Sequence, residues 1–232
     1  MKFAIIAAGE GSRLSQEGVE LPKPLVRLNG EAMIDRLIRI FNENGAEEIC
    51  IIVNRLHPQT EAHVRMLMER NEGAPIRLVV KTTPSSMHSF FELRQFLNDA
   101  PFCLTTVDTI FREDEFKEYI EAFNNTEADG LMAVTDYIDD EKPLYVATNG
   151  NLDITGFLDQ NDNCRFISGG IYALKPVALL TLERCMREGQ SRMRNFQRGL
   201  VSDGLLLKAW PMSKILDVDH ASDIAKAEDF LK

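Results

Sequence analysis

Short apolar runs alternate with segments of helical period over the first 130 residues, and that alternation leaves few architectures open. Phe3–Ala8, Glu48–Val53, Ile76–Lys81 and Phe102–Val107 read as buried strands. Between them Ile34, Leu37, Ile38 and Phe41 fall at i, i+3, i+4 and i+7, with Gly45 as a stop. Val64, Leu67 and Met68 mark a second helix; Phe90, Phe91, Leu93 and Leu97 a third; Phe116, Tyr119, Ile120 and Phe123 a fourth. Strands joined through helices predict right-handed βαβ units: an α/β fold with a mostly parallel sheet and helices on both faces.

The rhythm changes after residue 130. Leu131–Thr135, Tyr145–Thr148, Leu152–Phe157 and Gly170–Leu174 read as short strands broken by TNGN and DQNDN turns, a meander added to the sheet. Helices are expected over 177–188 and 192–201, a last strand over Leu205–Trp210, and a helix at the end. No linker is sharp enough to split the chain, so residues 1–232 are expected to form a single domain with a βα half (1–130) and a second half (131–232) ending in a helix. Met66, Met68, Phe90, Phe91 and Phe123 sit at helical spacing and are expected in the core.

Bulk composition excludes several classes of function. A net charge of −10 argues against polynucleotide binding, which needs a basic surface, while leaving room for a small anionic ligand in a local basic pocket. The four cysteines are scattered, without metal-ligand spacing, and two lie in apolar runs; core thiols and a reducing cytoplasm are expected. The first apolar run is short and meets a glycine loop, so no signal peptide is expected, and no run approaches the ~20 residues of a membrane helix.

The first strand is followed by Gly9-Glu10-Gly11-Ser12-Arg13-Leu14 and then Pro22-Lys23-Pro24. Glycines at 9 and 11 allow close backbone approach, and successive N–H groups in such a loop cradle phosphate oxygens. Arg13 adds a planar fork, and Lys23 a compact charge on a backbone restricted by a proline on each side. The dinucleotide fingerprint fails, because Leu14 stands where its third glycine belongs, and the P-loop pattern fails too. "AAGEGSRL…LPKPLVRLNGEAMID" instead resembles the signature of the nucleotidyltransferase family that includes sugar-1-phosphate nucleotidylyltransferases.

The resemblance implies a Rossmann-like three-layer α/β/α fold of the nucleotide-diphospho-sugar transferase type. Residues 1–130 would bind the nucleotide, and 131–232 the acceptor. It implies that Ala8, Gly9 and Gly11 contact the nucleotide through the backbone, with Ser12 beside them, and that Arg13 and Lys23 are catalytic, holding the triphosphate. Such transfer needs charge neutralisation, usually by Mg²⁺ on a few carboxylates. Asp108 ends the fourth apolar run, where the family has a metal-binding Asp that also neighbours the nucleotide; Val107 replaces the usual glycine, and a turn or helix cap is the other reading of Asp108. Asp217 and Asp219 form a D-x-D before the last helix, where the family carries its second metal Asp. Asp219 is preferred as nearer the helix, although it also fits as that helix's cap, with Ser222 near the third position.

The remaining pockets are less marked. In KTTPSSMHSFFEL the family's base-reading loop lacks its usual glutamine or Gly-Thr; Ser86, Ser89 or His88 could reach a base or phosphate, and base choice stays open. ISGGIYAL resembles the sugar-pocket segment and implies acceptor contacts at Gly169 and Gly170, a strand bulge being the other reading. The usual upstream lysine is missing from GFLDQNDN, so no sugar is singled out. Arg192, Arg194 and Arg198 read either as an anion site or as a solvated helix face.

The expectation is therefore a Mg²⁺-dependent transfer of NMP from an NTP to a sugar 1-phosphate. The alternatives are a cytidylyltransferase for a phosphorylated alcohol such as phosphocholine, or a nucleotide-binding regulatory protein without turnover. Only the resemblance points to a homo-oligomer. Beyond residue 210 no left-handed helical repeat follows, so no acyltransferase-like domain is expected.

Overall fold

The computed structural model describes residues 1–139 and 142–232. In chain order the first half comprises β1 (Lys2–Ala7), α1 (Ser12–Gln16), the small ribbon β2 (Arg27–Leu28) and β3 (Glu31–Ala32), α2 (Met33–Glu43), β4 (Glu48–Val53), α3 (Pro58–Arg70), β5 (Ile76–Val80), α4 (Ser86–Leu93), β6 (Phe102–Thr106), β7 (Thr109–Ile110) and α5 (Glu113–Asn124). The second half continues with β8 (Gly130–Thr135), β9 (Tyr145–Thr148), β10 (Ile154–Leu158), β11 (Phe166–Leu174), α6 (Ala178–Arg187), α7 (Met193–Ser202), β12 (Leu207–Pro211), β13 (Leu216–Asp217) and α8 (Ala221–Phe230).

One mixed sheet runs through both halves. Strands β5, β4, β1 and β6 are parallel neighbours. β11 joins antiparallel to β6, β8 antiparallel to β11, and β12 parallel to β8. The β9–β10 hairpin leans on the start of β11. The fold is thus Rossmann-like and three-layered, as the alternation of strands and helices predicts.

The central parallel strands β1 and β4 are apolar at every position after the first because helices cover both faces. Phe3, Ile5 and Ala7 belong to one core and Ala4, Ile6 and Ala8 to the other. On the first face α2 packs Phe41 against Phe3, ring centroids 4.5 Å apart; on the second, α4 packs Phe90 edge-on to Phe196 of α7 at 5.3 Å. Burying each such ring contributes about 1.5–3 kcal/mol.

Three expectations need correction. β11 begins at Phe166 rather than Gly170 and carries the glycine pair inside it, because the bulge lets the strand continue. Ile154–Leu158 and Leu207–Pro211 each begin two residues later and end one residue later than the apolar pattern suggests. Met66 is 37 % exposed: α3 buries Thr60 and Val64, and a residue two beyond Val64 points to the opposite side of a helix. Cys50, Cys103 and Cys185 are buried, and Cys164 is half-buried.

Candidate active site

Ligands in open α/β sheets bind at the carboxyl ends of the strands, and a cleft of about 430 Å³ lies there beyond β1 and β6. Ala8, Gly9, Glu10, Gly11, Ser12 and Arg13 form its floor and rim. Gly11 is left-handed, with φ +62°, and an added Cβ would stand 3.1 Å from the Lys23 Cβ. Both the turn and the close approach of Lys23 therefore require glycine at this position.

Lys23 begins a short 3-10 turn (Lys23–Leu25) anchored by the buried Pro24. Its side chain is only 11 % exposed, and its Nζ is ion-paired with Asp108 and, at 2.6 Å, with Asp219. Arg13 donates to the other Asp219 oxygen at 2.9 Å. Burial works against the Lys23 ammonium, but the Asp108 and Asp219 carboxylates outweigh it and hold its pKa above the ordinary lysine value. Burial likewise opposes ionisation of Asp219, and its hydrogen bond to Lys23, with the charge of Arg13 nearby, holds it below the ordinary carboxylate range.

A short antiparallel ribbon brings these distant carboxylates together. β7 follows Asp108 directly and pairs with β13, Thr109 opposite Asp217. The Val218 N–H then donates to the Asp108 carbonyl at 3.1 Å, so the chain enters the cleft one residue before Asp219. Val218 is fully buried while Asp217 is exposed, as strand alternation requires. Asp219 does not cap α8. The Asp223 carboxylate accepts from the N–H groups of His220 at 2.8 Å and Asp219 at 3.2 Å, which leaves the Asp219 side chain turned toward Lys23. Asp217 lines a second cleft and does not reach Lys23.

That second cleft, about 460 Å³, shares Arg13 and Asp219 with the first. Thr135, Tyr137, Ser168 and Gly169 line it on one side, and Asp217, Ser222 and Lys226 on the other. An added Cβ at Gly169 would overlap Ile215 Cδ1 and stand 3.1 Å from the Ala133 carbonyl oxygen, so a larger residue there requires Ile215 to turn and the backbone to shift slightly. Gly170 is not among the lining residues; it is the left-handed residue of the bulge, with φ +74°.

Of the predicted nucleotide contacts, Ala8, Gly9, Gly11, Ser12, Ser86 and Asp108 all face the first cleft. Ser89 also lines it, but it is buried against the Thr83 hydroxyl at 2.6 Å. His88 is engaged with Ser85, the cap of α4, at 2.9 Å. The arginines of α7 are held by the protein itself: Arg194 and Arg198 both pair with Asp159, at 2.6 and 2.8 Å. That arrangement fits the helix-face reading rather than an anion site.

Sequence reasoning missed Asn54. It is 1 % exposed at the end of β4, donates to the Ala8 carbonyl at 2.9 Å and accepts from Thr82 at 2.7 Å. It thus ties the glycine loop to the ends of two neighbouring strands. A polar residue closing an apolar run was its only signal.

Among the described residues no group of three or more His, Cys, Asp or Glu forms a ready-made metal cage. The donor set nonetheless suits Mg²⁺: two hard carboxylates converge on one cation, Lys23, and a pair of carboxylates leaves coordination positions for water and phosphate. Among the described residues no helix is long and apolar enough to cross a membrane.

Residues 3–173 match the family described as the MobA-like NTP transferase domain, and the chain belongs to that family. Mannose-1-phosphate guanyltransferase of Yarrowia lipolytica is 26 % identical over 182 residues, 76 % of this chain and 50 % of that protein. Choline-phosphate cytidylyltransferase of Streptococcus pneumoniae is 32 % identical over 93 residues, 40 % of this chain and 38 % of its own length. This chain thus spans about half the length, or less, of these relatives. A putative glucose-1-phosphate thymidylyltransferase from Bacillus anthracis shares the fold at a TM-score of 0.85 and 17 % identity, covering 99 % of this chain and 94 % of that one.

Proposed function

We propose that this protein is a nucleotidyltransferase of cytoplasmic metabolism, moving NMP from an NTP to a sugar 1-phosphate and releasing pyrophosphate and an NDP-sugar. The observation that carries the reading is the meeting of Asp108, Asp219 and Arg13 around Lys23, at the border of two clefts. The first cleft would take the NTP and the second the acceptor, so residues 1–130 supply most of one site and 131–232 most of the other. The backbone at Ala8, Gly9 and Gly11, with the hydroxyls of Ser12 and Ser86, would hold the nucleotide. Gly169 would offer backbone to the acceptor, and Gly170 would shape that backbone from within the bulge.

In the reaction an acceptor phosphate oxygen bonds to the α-phosphorus, the bond from that phosphorus to the bridging oxygen breaks, and pyrophosphate leaves with the electron pair. A phosphomonoester is largely a dianion near neutral pH, so no general base is needed. Arg13 and Lys23 orient the phosphates and balance the charge that develops on them. Asp108 and Asp219 would hold Mg²⁺, which when bound supplies further charge neutralisation. Asp217, on the second cleft, would serve the acceptor side. The acidic net charge speaks against a polynucleotide partner.

A second reading is a cytidylyltransferase for a phosphorylated alcohol. It draws on the stretch shared with the choline-phosphate enzyme, which is more alike, at 32 %, than the 26 % shared with the guanyltransferase. The test is pyrophosphate release with Mg²⁺ across four NTPs, a panel of sugar 1-phosphates and phosphocholine. One active sugar 1-phosphate pair is the expected result. Activity with CTP and phosphocholine alone would establish the second reading. NTP binding without turnover on any acceptor would point to a regulatory protein, and absence of NTP binding would overturn the proposal.

A further inference from the structure

Where β11 passes the second cleft it is not a regular strand. Its pairing with β8 runs from Leu174 to Tyr172 and resumes at Ser168, and the register slips in between. Such a bulge leaves backbone groups without ladder partners and re-aims the residues beside it. Next to the slip, Ala173 faces Leu131. The Ala173 N–H donates to the Tyr119 hydroxyl at 2.7 Å, and that hydroxyl donates to the Leu131 carbonyl at 2.6 Å. Tyr119 comes from α5 and is fully buried. A helix side chain therefore bridges the last registered residues of the two strands, beside the point where their register slips.

The opposite layer holds the bulge as well. Ser168 donates to the Gln197 amide oxygen of α7 at 2.8 Å, and the Gln197 nitrogen reaches the Tyr172 hydroxyl at 3.4 Å. Between these anchors lie Gly169, closely packed on Ile215 and the Ala133 carbonyl, and the left-handed Gly170. A shift of one residue that brought Ser168 into the place of Gly169 would put a Cβ there, and a shift either way would reverse the facing of Ser168.

We infer that Tyr119 is a positioning residue: its hydroxyl fixes where β11 leaves register with β8, and so sets the backbone wall from Ile167 to Gly169 that lines the second cleft. Its effect on the acceptor rests on the function proposed above; its effect on the strand does not.

The test compares Tyr119→Phe with Phe116→Leu in the full chain. Phe116 is equally buried on α5, and its ring packs on that of Tyr119 with centroids 6.0 Å apart, so its truncation loosens α5 without removing the bridge. Amide hydrogen exchange is read across residues 166–174 of β11 and, as reference, across β4, since Phe116 also packs on Phe3 of β1. Tyr119→Phe is expected to speed exchange in β11 by about tenfold relative to β4, and Phe116→Leu to leave that ratio unchanged. In the kinetic arm, Tyr119→Phe should raise the acceptor KM by about fivefold with the NTP KM unmoved. An unchanged exchange ratio in Tyr119→Phe, or the same change in both variants, overturns the inference. A normal acceptor KM alongside local loosening would limit Tyr119 to a structural role and overturn its link to the cleft. If the wild-type protein turns over no acceptor, the proposed function fails, and the exchange arm still decides the positioning of β11.

Discussion

The two clefts meet at Arg13 and Asp219 but are built in different ways. The first lies beyond the ends of regular parallel strands. Most of its lining comes from a few continuous stretches: 6–13, 83–86 and 106–108. The second lies where antiparallel strands are distorted, and its lining is gathered from β8, β11, β13 and α8. Short contiguous stretches can carry a motif. A wall made by a bulge depends on register across a sheet: the stretch ISGGIYAL marks the glycine pair but not the pairing that places it. The lesson is that the shared chemistry of a phosphate site is readable along the chain, while the feature that would choose an acceptor is spread over it.

The largest expected effect breaks the first cleft. Lys23→Ala leaves Asp108 and Asp219 facing each other without their cation, and should lower kcat by about 10²–10³-fold in the pyrophosphate assay, the scale of losing one preorganised charge-stabilising donor. Near-normal turnover in that variant would remove Lys23 from the chemistry.

Gly169→Ala probes the second cleft. Forcing a Cβ against Ile215 and the Ala133 carbonyl should cost about 1–3 kcal/mol in a urea titration and raise the acceptor KM while sparing the NTP KM. If Gly169→Ala and Lys23→Ala shift the same substrate constants in the same way, the two clefts are not separate in function.

The smallest effect concerns the opposite end of the sheet. Burial alone would raise the pKa of Glu48, but its hydrogen bonds with Arg77 and Lys2 outweigh burial and hold it below the ordinary glutamate value of 4.5. A carboxylate depressed on folding contributes stability that is present above its unfolded pKa and is lost as pH falls through the folded value. Thermal unfolding should therefore show Tm falling below about pH 4.5, with a shallower acid limb in Glu48→Gln. Because Glu48 opens β4, away from the strand ends that carry the site, neither substrate constant should respond at neutral pH.

Much of the candidate site was legible along the chain. The glycine loop, the proline-flanked Lys23 and an aspartate ending an apolar run are local signals, since each depends on residues a few positions apart. The residues that hold this machinery in place were not legible. Asn54 closes an apolar run like many polar residues, and its bond to Ala8 spans 46 positions. Ser85 and Ser86 look alike and both line the cleft, yet only Ser85 also caps α4. Tyr119 reads as one more apolar position of α5, and only the bulge in β11 gives its hydroxyl a task.

The sequence by itself determined the alternation of strands and helices, the apolar faces that seal both sides of the sheet, and the residue types available for phosphate and metal. Those follow from periodicity and backbone preference, which act between near neighbours. The tertiary structure decided which aspartate meets Asp108. Asp217 and Asp219 have the same chemistry and lie two residues apart, and the pairing of β13 with β7 carries Asp219 to Lys23 while Asp217 stays on the second cleft. The sequence alone favours Asp219 only as the nearer to the last helix; strand register, fixed by the whole sheet packing at once, is what seats it at Lys23.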